Sequence, residues 1–470
     1  MTTDCTSPQL EFQGLTGRTV VASFDGGTVS SDGGVLLLAE VDRRMGGLLE
    51  QFAACFKDHR NPGLVEHSVE ELVRQRVFGL ALGYEDLNDH DELRTDPLLA
   101  SVVGKSDPTG SDRRQEQDRG KPLAGKSTLN RLEWGTVKQD RYRKISLDTE
   151  AVDRFFVDVF LAAYRKAPSE IVLDLDATDD PLHGEQEGRF FHGYYGGYCY
   201  LPLYIFCGSH LLGSRLREAN VDASFGAVTE LERIVARIRQ SWPEVRIIVR
   251  GDSGFAREEL MSWCESHGVD FVLGLARNAR LQRALGGELE QARAQFEESG
   301  KAARVFKDFV YRTKKSWSQQ RRVVGKAEHL SKGANPRFIV TSLPSEKWSA
   351  QVLYEKLYCA RGEMENRIKE QQLCLFADRT STHHLSSNQA RLWFSSVAYV
   401  LLNELRRLGL TGTDLAQARC DTIRIKLLKI GAQVKVTVRR VWVHLASSYP
   451  YAALFTQILG QLRTSPPVFA

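Results

Sequence analysis

Two aspartates, Asp174 and Asp176, interrupt a short apolar stretch near the middle of the chain. Ile171, Val172 and Leu173 precede them, a run that is typical of a strand buried on both faces. Side chains two residues apart share one face of a strand, so the two carboxylates would lie side by side. Buried carboxylates are costly unless they are paired or bind a cation. The pattern therefore indicates either a metal site or the end of a strand that enters an aspartate-rich turn.

A second acidic position, Asp252, follows an apolar run at residues 245–249 that predicts another strand. Further along, Tyr358, Arg361 and Glu365 recur at steps of three and four, which would place them on one stripe of a helix. A simpler interpretation is a surface helix with an ion pair between Arg361 and Glu365, worth a few tenths of a kcal/mol. A tyrosine at the head of the same stripe favours a functional site.

Two known families have motifs similar to these residues. The stretch from Asp174 to Thr178 resembles the opening motif of haloacid-dehalogenase-type phosphatases, in which Asp174 would attack phosphorus and Asp176 would act as acid and base. Asp179 departs from that motif, because an apolar residue is expected there, and no further acid follows Asp252 within four residues. The phosphatase interpretation remains an alternative.

The spacing of Tyr358, Arg361 and Glu365 is similar to the signature of DDE transposases from bacterial insertion sequences. Several stretches of the chain closely resemble one group of them, the thirteen-eighty family: residues 173–184, 190–208, 248–255 and 361–370. The resemblance extends over most of the chain. It implies an α/β fold with a ribonuclease-H-like mixed sheet as the catalytic core.

The resemblance also implies the roles of single residues. Asp176 on the first strand, Asp252 after the fourth and Glu365 on a later helix would be catalytic and would bind two divalent ions, Mg²⁺ or Mn²⁺. Asp174 is the reserve for the first of these positions. The DNA phosphate would be supported by three further side chains: Tyr358, Arg361 and Lys369. Gln372 stands where the wider signature has a lysine.

The elements that would position these residues divide the chain into five regions. Helical periodicity in the first third includes a capping box at Ser68 and Glu71. We expect a mainly helical DNA-binding region, a catalytic core in two parts, a β-rich insertion between them and a basic C-terminal region: residues 1–165, 166–280, 281–349, 350–410 and 411–470. Within the insertion, Trp317 lies among cationic residues and is a candidate for base stacking, or else an ordinary core aromatic.

Composition restricts the class of protein without defining it. The net charge of +4 is too small to indicate nucleic acid alone, although nine Lys or Arg lie within residues 406–440. Eight scattered cysteines without a C-x-x-C pair fit a reducing compartment. We expect a soluble bacterial protein of the cytoplasm, associated with the nucleoid and with no membrane partner. Its partners would be double-stranded transposon ends and target DNA, bound by a homodimer or larger assembly. A non-catalytic DNA-binding protein derived from such an element remains the second alternative.

Overall fold

The computed structural model describes residues 8–15, 18–134 and 142–465. These residues contain nineteen strands, numbered along the chain: β1 (Leu10–Leu15), β2 (Arg18–Ala22), β3 (Val29–Ser30), β4 (Phe56–Asp58), β5 (Ile145–Leu147), β6 (Glu170–Ala177), β7 (Asp180–Pro181), β8 (Phe190–His192), β9 (Gly197–Tyr200), β10 (Leu203–Cys207), β11 (His210–Arg215), β12 (Arg246–Gly251), β13 (Asp270–Leu275), β14 (Ala303–Tyr311), β15 (Arg321–Leu330), β16 (Gly333–Ala334), β17 (Arg337–Thr341), β18 (Ala432–Val436) and β19 (Val441–Leu445).

The same residues contain sixteen α-helices: α1 (Val35–Arg44), α2 (Leu48–Ala53), α3 (Val69–Leu82), α4 (Asp89–Leu93), α5 (Pro97–Val103), α6 (Lys126–Glu133), α7 (Thr149–Ala162), α8 (Ala227–Ser241), α9 (Glu258–Ser266), α10 (Ala279–Ala284), α11 (Gly286–Ser299), α12 (Ala350–Val352), α13 (Gly362–Leu375), α14 (Leu385–Leu405), α15 (Cys420–Ile423) and α16 (Ala452–Thr464). None of these described helices has the length and apolar character needed to cross a membrane.

The chain divides into two compact units. One unit comprises residues 1–132 together with 404–470, and the other comprises residues 133–403. In the first unit, α3 begins with the predicted capping box, because the Ser68 hydroxyl accepts from the Glu71 amide and the Glu71 carboxylate accepts from the Ser68 amide. The C-terminal strands β18 and β19 form a small sheet with β3 in the same unit. The DNA-binding role of residues 1–165 stays a prediction.

A mixed sheet of nine strands forms the centre of the second unit. Its strand order is β11-β10-β6-β12-β13-β17-β15-β14, and β16 pairs with β15. Strands β6, β12 and β13 are parallel to one another, whereas β10, β11 and β14–β17 pair antiparallel to their neighbours. The predicted α/β class with a mixed sheet is therefore confirmed. The strands of residues 281–349, predicted as a β-rich insertion, join this same sheet.

Apolar side chains alternate along β6 and bury the strand on both faces. Leu173 and Leu175 belong to the larger core, which includes buried residues of α8 and α9. Val172 packs on the other face against a smaller core that includes Leu353 and Leu357. Because alternate residues share a face, Asp174 and Asp176 point to the side of the sheet that carries the helical segment after residue 352.

Candidate active site

Asp176 and Asp252 lie on adjacent parallel strands at the same end of the sheet. Strands β6 and β12 pair in parallel, with Arg250 opposite Asp174 and Gly251 opposite Leu175. The residue after Gly251 is Asp252, which the same register places beside Asp176. The turn after β12 is fixed by Asp252 itself, whose carboxylate accepts a hydrogen bond of 2.8 Å from the amide of Gly254. The two aspartates predicted to act together therefore come together in the fold.

The negative charge at and around Asp176 exceeds the positive charge of its neighbour Arg361. Its side chain is only 15% exposed. Burial raises its pKa to about 7; Arg361 opposes the rise, and the nearby carboxylates of Asp252 and Glu365 add to it. The Asp176 carboxylate accepts a local hydrogen bond from the amide of Ala177 at 3.1 Å, and its cationic neighbour Arg361 is 3.8 Å away. A site with this excess of negative charge attracts cations.

Arg361 connects Asp176 with Glu365. One guanidinium nitrogen of Arg361 lies 2.6 Å from Glu365 Oε1, and the other lies 3.8 Å from Asp176 Oδ1. Burial acts to lower the pKa of Arg361, but Asp176 and Glu365 outweigh it and raise that pKa. The predicted ion pair between Arg361 and Glu365 is present. Because it also contacts Asp176, it is part of the acidic site and not a simple surface pair.

The helix carrying these residues differs from the single α-helix that the sequence predicted. Residues Leu353–Tyr358 form one turn of π-helix and Cys359–Arg361 a turn of 3₁₀-helix, and α13 begins only at Gly362. Four apolar residues spaced for one face of a helix are nevertheless buried: Leu357, Met364, Ile368 and Leu375. Turns of π-helix within helices are frequent at functional sites. The irregular turns change the angular offset between Tyr358 and Glu365 that uniform α-helical spacing would give.

Tyr358 packs against a glycine that sequence reasoning did not identify. A Cβ atom at Gly274, on β13, would lie 2.6 Å from the Tyr358 hydroxyl oxygen and 2.8 Å from the backbone nitrogen of Ser253. Only glycine therefore lets the tyrosine and the turn after Asp252 pack this closely against β13. The signal was available in the sequence, because a glycine inside an apolar strand often marks a close approach of another backbone.

Asp174, the reserve for the first catalytic position, is held in a different way. It is 3% exposed, and its two carboxylate oxygens accept from Nε and Nη2 of Arg250. Arg250 also donates to the backbone carbonyl of Leu357. A nucleophile must reach its substrate, and this arrangement leaves Asp174 neither exposed nor unpaired. The geometry weighs against both the phosphatase interpretation and the reserve role.

Two polar residues of α13 have different environments. Lys369 is exposed and forms no hydrogen bond or ion pair with any described residue, so its predicted phosphate contact stays a prediction. Gln372 faces inward: its side-chain amide donates to Asp180 Oδ1 at 2.8 Å and to the carbonyl of Asp179 at 3.0 Å. Gln372 therefore connects the helix that bears Glu365 with the segment that follows Asp176.

Trp317 is a core aromatic. Its side chain is 4% exposed, packs edge-on against Tyr311 with ring centroids 5.7 Å apart, and lies beneath the guanidinium of Arg321. A buried ring offers no face to a base, so the base-stacking hypothesis for Trp317 is wrong and the alternative is confirmed.

The donor set fits hard divalent cations by type. Carboxylate oxygens are the protein ligands that Mg²⁺ and Mn²⁺ prefer, and Asp176, Asp252 and Glu365 supply them with an excess of negative charge. Across residues 8–15, 18–134 and 142–465, no three His, Cys, Asp or Glu side chains are grouped closely enough to hold a metal ion. Glu365 is instead paired with Arg361. Closing three carboxylates around a cation would require Arg361 to release Glu365.

The fold and this acidic site agree with the comparison to protein families. The family described as transposase DDE domain group 1 matches residues 12–467, which is nearly the whole chain. The protein therefore belongs to the DDE transposases. No curated protein matches the chain.

Proposed function

We propose that the protein is a DNA transposase that binds the terminal inverted repeats of its insertion sequence and carries out metal-dependent strand cleavage and strand transfer. The observation that supports this proposal best is that Asp252, Glu365 and Arg361 all act electrostatically on the buried Asp176 in a member of the DDE transposases. The element would belong to the thirteen-eighty family and move by cut-and-paste transposition, and the protein would act on the bacterial nucleoid.

The strand order supports a ribonuclease-H-like core. Counting the strands of the central sheet along the chain, β6 is the first, β10 and β11 are the second and third, and β12 is the fourth. Asp176 lies on the first and Asp252 directly follows the fourth. This is the arrangement that the resemblance to insertion-sequence transposases implies.

The carboxylates of Asp176, Asp252 and Glu365 would hold two ions, Mg²⁺ or Mn²⁺. When bound, the ions would activate the attacking oxygen and stabilise the leaving oxygen of the phosphodiester. The protein's own part is to position and to balance charge. Arg361, released from Glu365, and Tyr358 would hold the scissile phosphate, and Lys369 would contact the strand from the exposed side of α13.

DNA binding would use several regions of the chain. Residues 1–165 and the insertion at 281–349 would contact the transposon end, and cleavage at two ends implies at least a homodimer. In the C-terminal region, Arg406 and Arg424 donate to backbone carbonyls of their own unit, whereas Lys435, Arg439 and Arg440 are exposed on or between β18 and β19. We expect end affinity to fall steeply with salt, because each neutralised phosphate releases condensed counterions.

The decisive experiment compares cleavage with binding. End DNA and Mg²⁺ are incubated with wild-type protein, Asp252→Asn and Asp270→Asn, and the products are resolved on a denaturing gel. Asp270 is a matched control because it pairs with Arg246 at the start of β13, the end of the sheet opposite to Asp252. Asp252→Asn should abolish cleavage and keep end affinity within a few-fold, while Asp270→Asn cleaves normally.

The other outcomes separate the alternatives. Wild-type cleavage by Asp252→Asn would refute the assigned role. A wild-type protein that binds ends and never cuts them would be the non-catalytic DNA-binding protein. Hydrolysis of small phosphate esters that is lost in Asp174→Asn and retained in Glu365→Gln would restore the phosphatase interpretation.

A further inference from the structure

An exposed group of aromatic rings lies on the small sheet β7-β9-β8. We call it the aromatic surface, and it consists of Phe190, Tyr194 and Tyr195. Side chains alternate along a strand, so Phe190 and His192 share one face of the hairpin β8-β9, whereas Phe191 and Tyr198 lie on the other. Tyr194 is 86% exposed, Phe190 39% and Tyr195 37%, although rings of this size are usually buried. Contiguous exposed rings mark a binding surface more often than isolated ones do.

The rings are arranged so that their faces stay open. Tyr194 meets Tyr195 edge-on, with 5.0 Å between the ring centroids, and Tyr195 also contacts the imidazole of His192 at 4.9 Å. An edge-on pair does not cover both faces of either ring. On the other face of the hairpin, Arg189 lies over the ring of Tyr198 and pairs with Glu185. The aromatic surface thus presents the accessible ring of Tyr194, supported by Tyr195.

The aromatic surface borders the acidic site. The hydroxyl oxygen of Tyr195 lies 3.5 Å from the carbonyl oxygen of Ala177, the residue next to Asp176. Burial raises the pKa of Tyr195 to about 12, and the negative charges of Asp179, Asp176 and Asp252 contribute to the rise. The tyrosine is therefore within electrostatic reach of two of the three proposed metal ligands. A strand whose phosphate lay on those carboxylates would pass beside these rings.

The composition of the surface defines its occupant. Between Glu187 and Glu218 the chain has no Asp or Glu, so the acids nearest to the surface lie outside this segment, among them Asp176, Asp179 and Asp252. From residue 189 to residue 200 it also has no Leu, Ile, Val or Met; rings and glycines alternate with Arg189 and His192. A protein-docking patch normally includes aliphatic side chains, whereas exposed rings without them fit the flat faces of nucleobases.

We propose that the aromatic surface stacks unpaired bases of the DNA strand next to the scissile phosphate. Within a duplex, each base face is covered by its neighbours, so only unpaired nucleotides offer faces to protein rings. Stacking depends little on sequence, because every base has a flat face. The inference rests on the proposed transposase function and adds to it a preference for unpaired nucleotides at the cleaved end.

The test measures affinity for two probes in the absence of divalent metal: a blunt duplex, and the same duplex with a short oligothymidine tail. The proteins are wild type, the double variant Phe190→Ala/Tyr194→Ala, the conservative variant Phe190→Tyr/Tyr194→Phe, and Phe191→Ala. Phe191 is a control for loss of an exposed ring, since it is 59% exposed on the opposite face of the same hairpin. Both substituted rings are exposed, so the fold should survive, which circular dichroism checks.

Wild type should bind the tailed probe about tenfold more tightly than the blunt one, the effect of about one stacked base. The double alanine variant should lose that preference and keep its affinity for the blunt probe, while the conservative variant and Phe191→Ala behave as wild type. Equal affinities in wild type, or an intact preference in the double alanine variant, would overturn the proposal.

Two further outcomes distinguish base stacking from a contact between two copies of the chain and from a failure of the transposase function. If the double alanine variant sediments as a smaller species than wild type without DNA, the surface joins two copies of the chain and the proposal is wrong. If wild type cleaves its ends but shows no preference for the tail, the inference fails and the transposase function stands. If wild type binds neither probe, both the base-stacking inference and the proposed transposase function are wrong.

Discussion

The Asp174–Arg250 ion pair and the acidic site around Asp176 are two neighbouring regions of the molecule. Their aspartates are two residues apart on β6 and share one face of the sheet. Both aspartates are largely buried. Asp174 has both carboxylate oxygens bonded to Arg250, its neighbour across the parallel pair. Asp176 faces two other carboxylates and one arginine, Arg361, which it shares with Glu365. Charges balance in the first region and do not balance in the second.

The difference shows how one strand can supply a structural group and a chemical group. A buried ion pair whose partners are satisfied tolerates no further ligand, and removing one partner leaves a charge that nothing neutralises. A buried carboxylate with surplus negative charge is destabilising by itself and becomes favourable once a cation binds. We therefore assign stability to Asp174 and chemistry to Asp176.

The largest expected effects come from replacing the two aspartates separately. Asp176→Asn should lower strand cleavage by at least about 1000-fold, roughly 4 kcal/mol of barrier, without lowering the melting temperature. Asp174→Asn should instead lower the free energy of unfolding by about 3–5 kcal/mol, because Arg250 is left buried without its counter-charge. Cleavage assays and thermal unfolding of both variants check this. A stable but inactive Asp174→Asn would reverse the assignment.

Sequence reasoning located the acids because strand periodicity and helix spacing are local properties. The strands that carry Asp176 and precede Asp252 follow from apolar runs and a period of two, and the pairing of Arg361 with Glu365 follows from helical spacing. Which of two neighbouring aspartates would be neutralised could not be predicted, because the answer depends on Arg250 in a strand more than seventy residues away. The same limit applied to Trp317, whose burial comes from packing against Tyr311.

Two further features were missed for reasons that differ. The turn of π-helix before α13 has no sequence signal in the apolar pattern, since the same residues are buried in either geometry. Gly274 did have a signal, because glycine weakens a strand unless another group approaches closely. Its partners, Tyr358 and the backbone of Ser253, only become visible in the fold.

Gly274→Ala tests whether the chemical region depends on close packing at Tyr358. The added methyl group would lie 2.6 Å from the Tyr358 hydroxyl and 2.8 Å from a backbone nitrogen, so the tyrosine or the Asp252 turn must move. We expect destabilisation of about 1–3 kcal/mol and at least about a tenfold loss of cleavage. Gly287→Ala is the control, because a Cβ there meets nothing within 4 Å on helix α11. Normal cleavage by Gly274→Ala would show that Tyr358 is not positioned by this contact.

Asp180 is an intermediate case, a fully buried acid with a neutral partner. Burial raises its pKa to about 8, and the hydrogen bond from Gln372 opposes the rise. In the unfolded chain this carboxyl ionises near its ordinary pKa of about 4, so the folded state holds an extra proton between about pH 4 and about pH 8. Stability from this group is therefore present at low pH and is lost as the pH rises through that interval.

Asp180→Asn should remove this pH dependence, because the amide does not ionise. Its melting temperature relative to wild type should increase by at least about 2 °C between about pH 5 and about pH 8. Asp179→Asn is the matched control, since only the backbone carbonyl of Asp179 accepts from Gln372. If the difference in melting temperature is constant across the pH range, Asp180 is ionised in the folded protein and its charge is neutralised, as that of Asp174 is.

The smallest expected effect is that of Glu363→Gln, which is measured against its neighbour Glu365 at the start of α13. On an α-helix, residues two apart differ by about 200° in direction, so Glu363 and Glu365 cannot both face one site. Glu365 pairs with Arg361 and contributes negative charge at Asp176. Glu363 is exposed and acts on the other region: burial raises the pKa of Asp174, Arg250 opposes the rise, and Glu363 adds a small part to it. Glu365 thus belongs to the acidic site around Asp176, whereas Glu363 acts on the Asp174–Arg250 pair.

We therefore expect Glu365→Gln to eliminate strand cleavage, and Glu363→Gln to leave at least about a tenth of it, a barrier change below roughly 1.4 kcal/mol. Glu363→Gln should also leave the melting temperature nearly unchanged, because an exposed charge contributes little to stability. Cleavage rates of the two variants on the same end DNA provide the measurement. If Glu363→Gln is inactive and Glu365→Gln cuts, the third metal ligand is Glu363. The pair of Arg361 with Glu365 would then contribute only to stability.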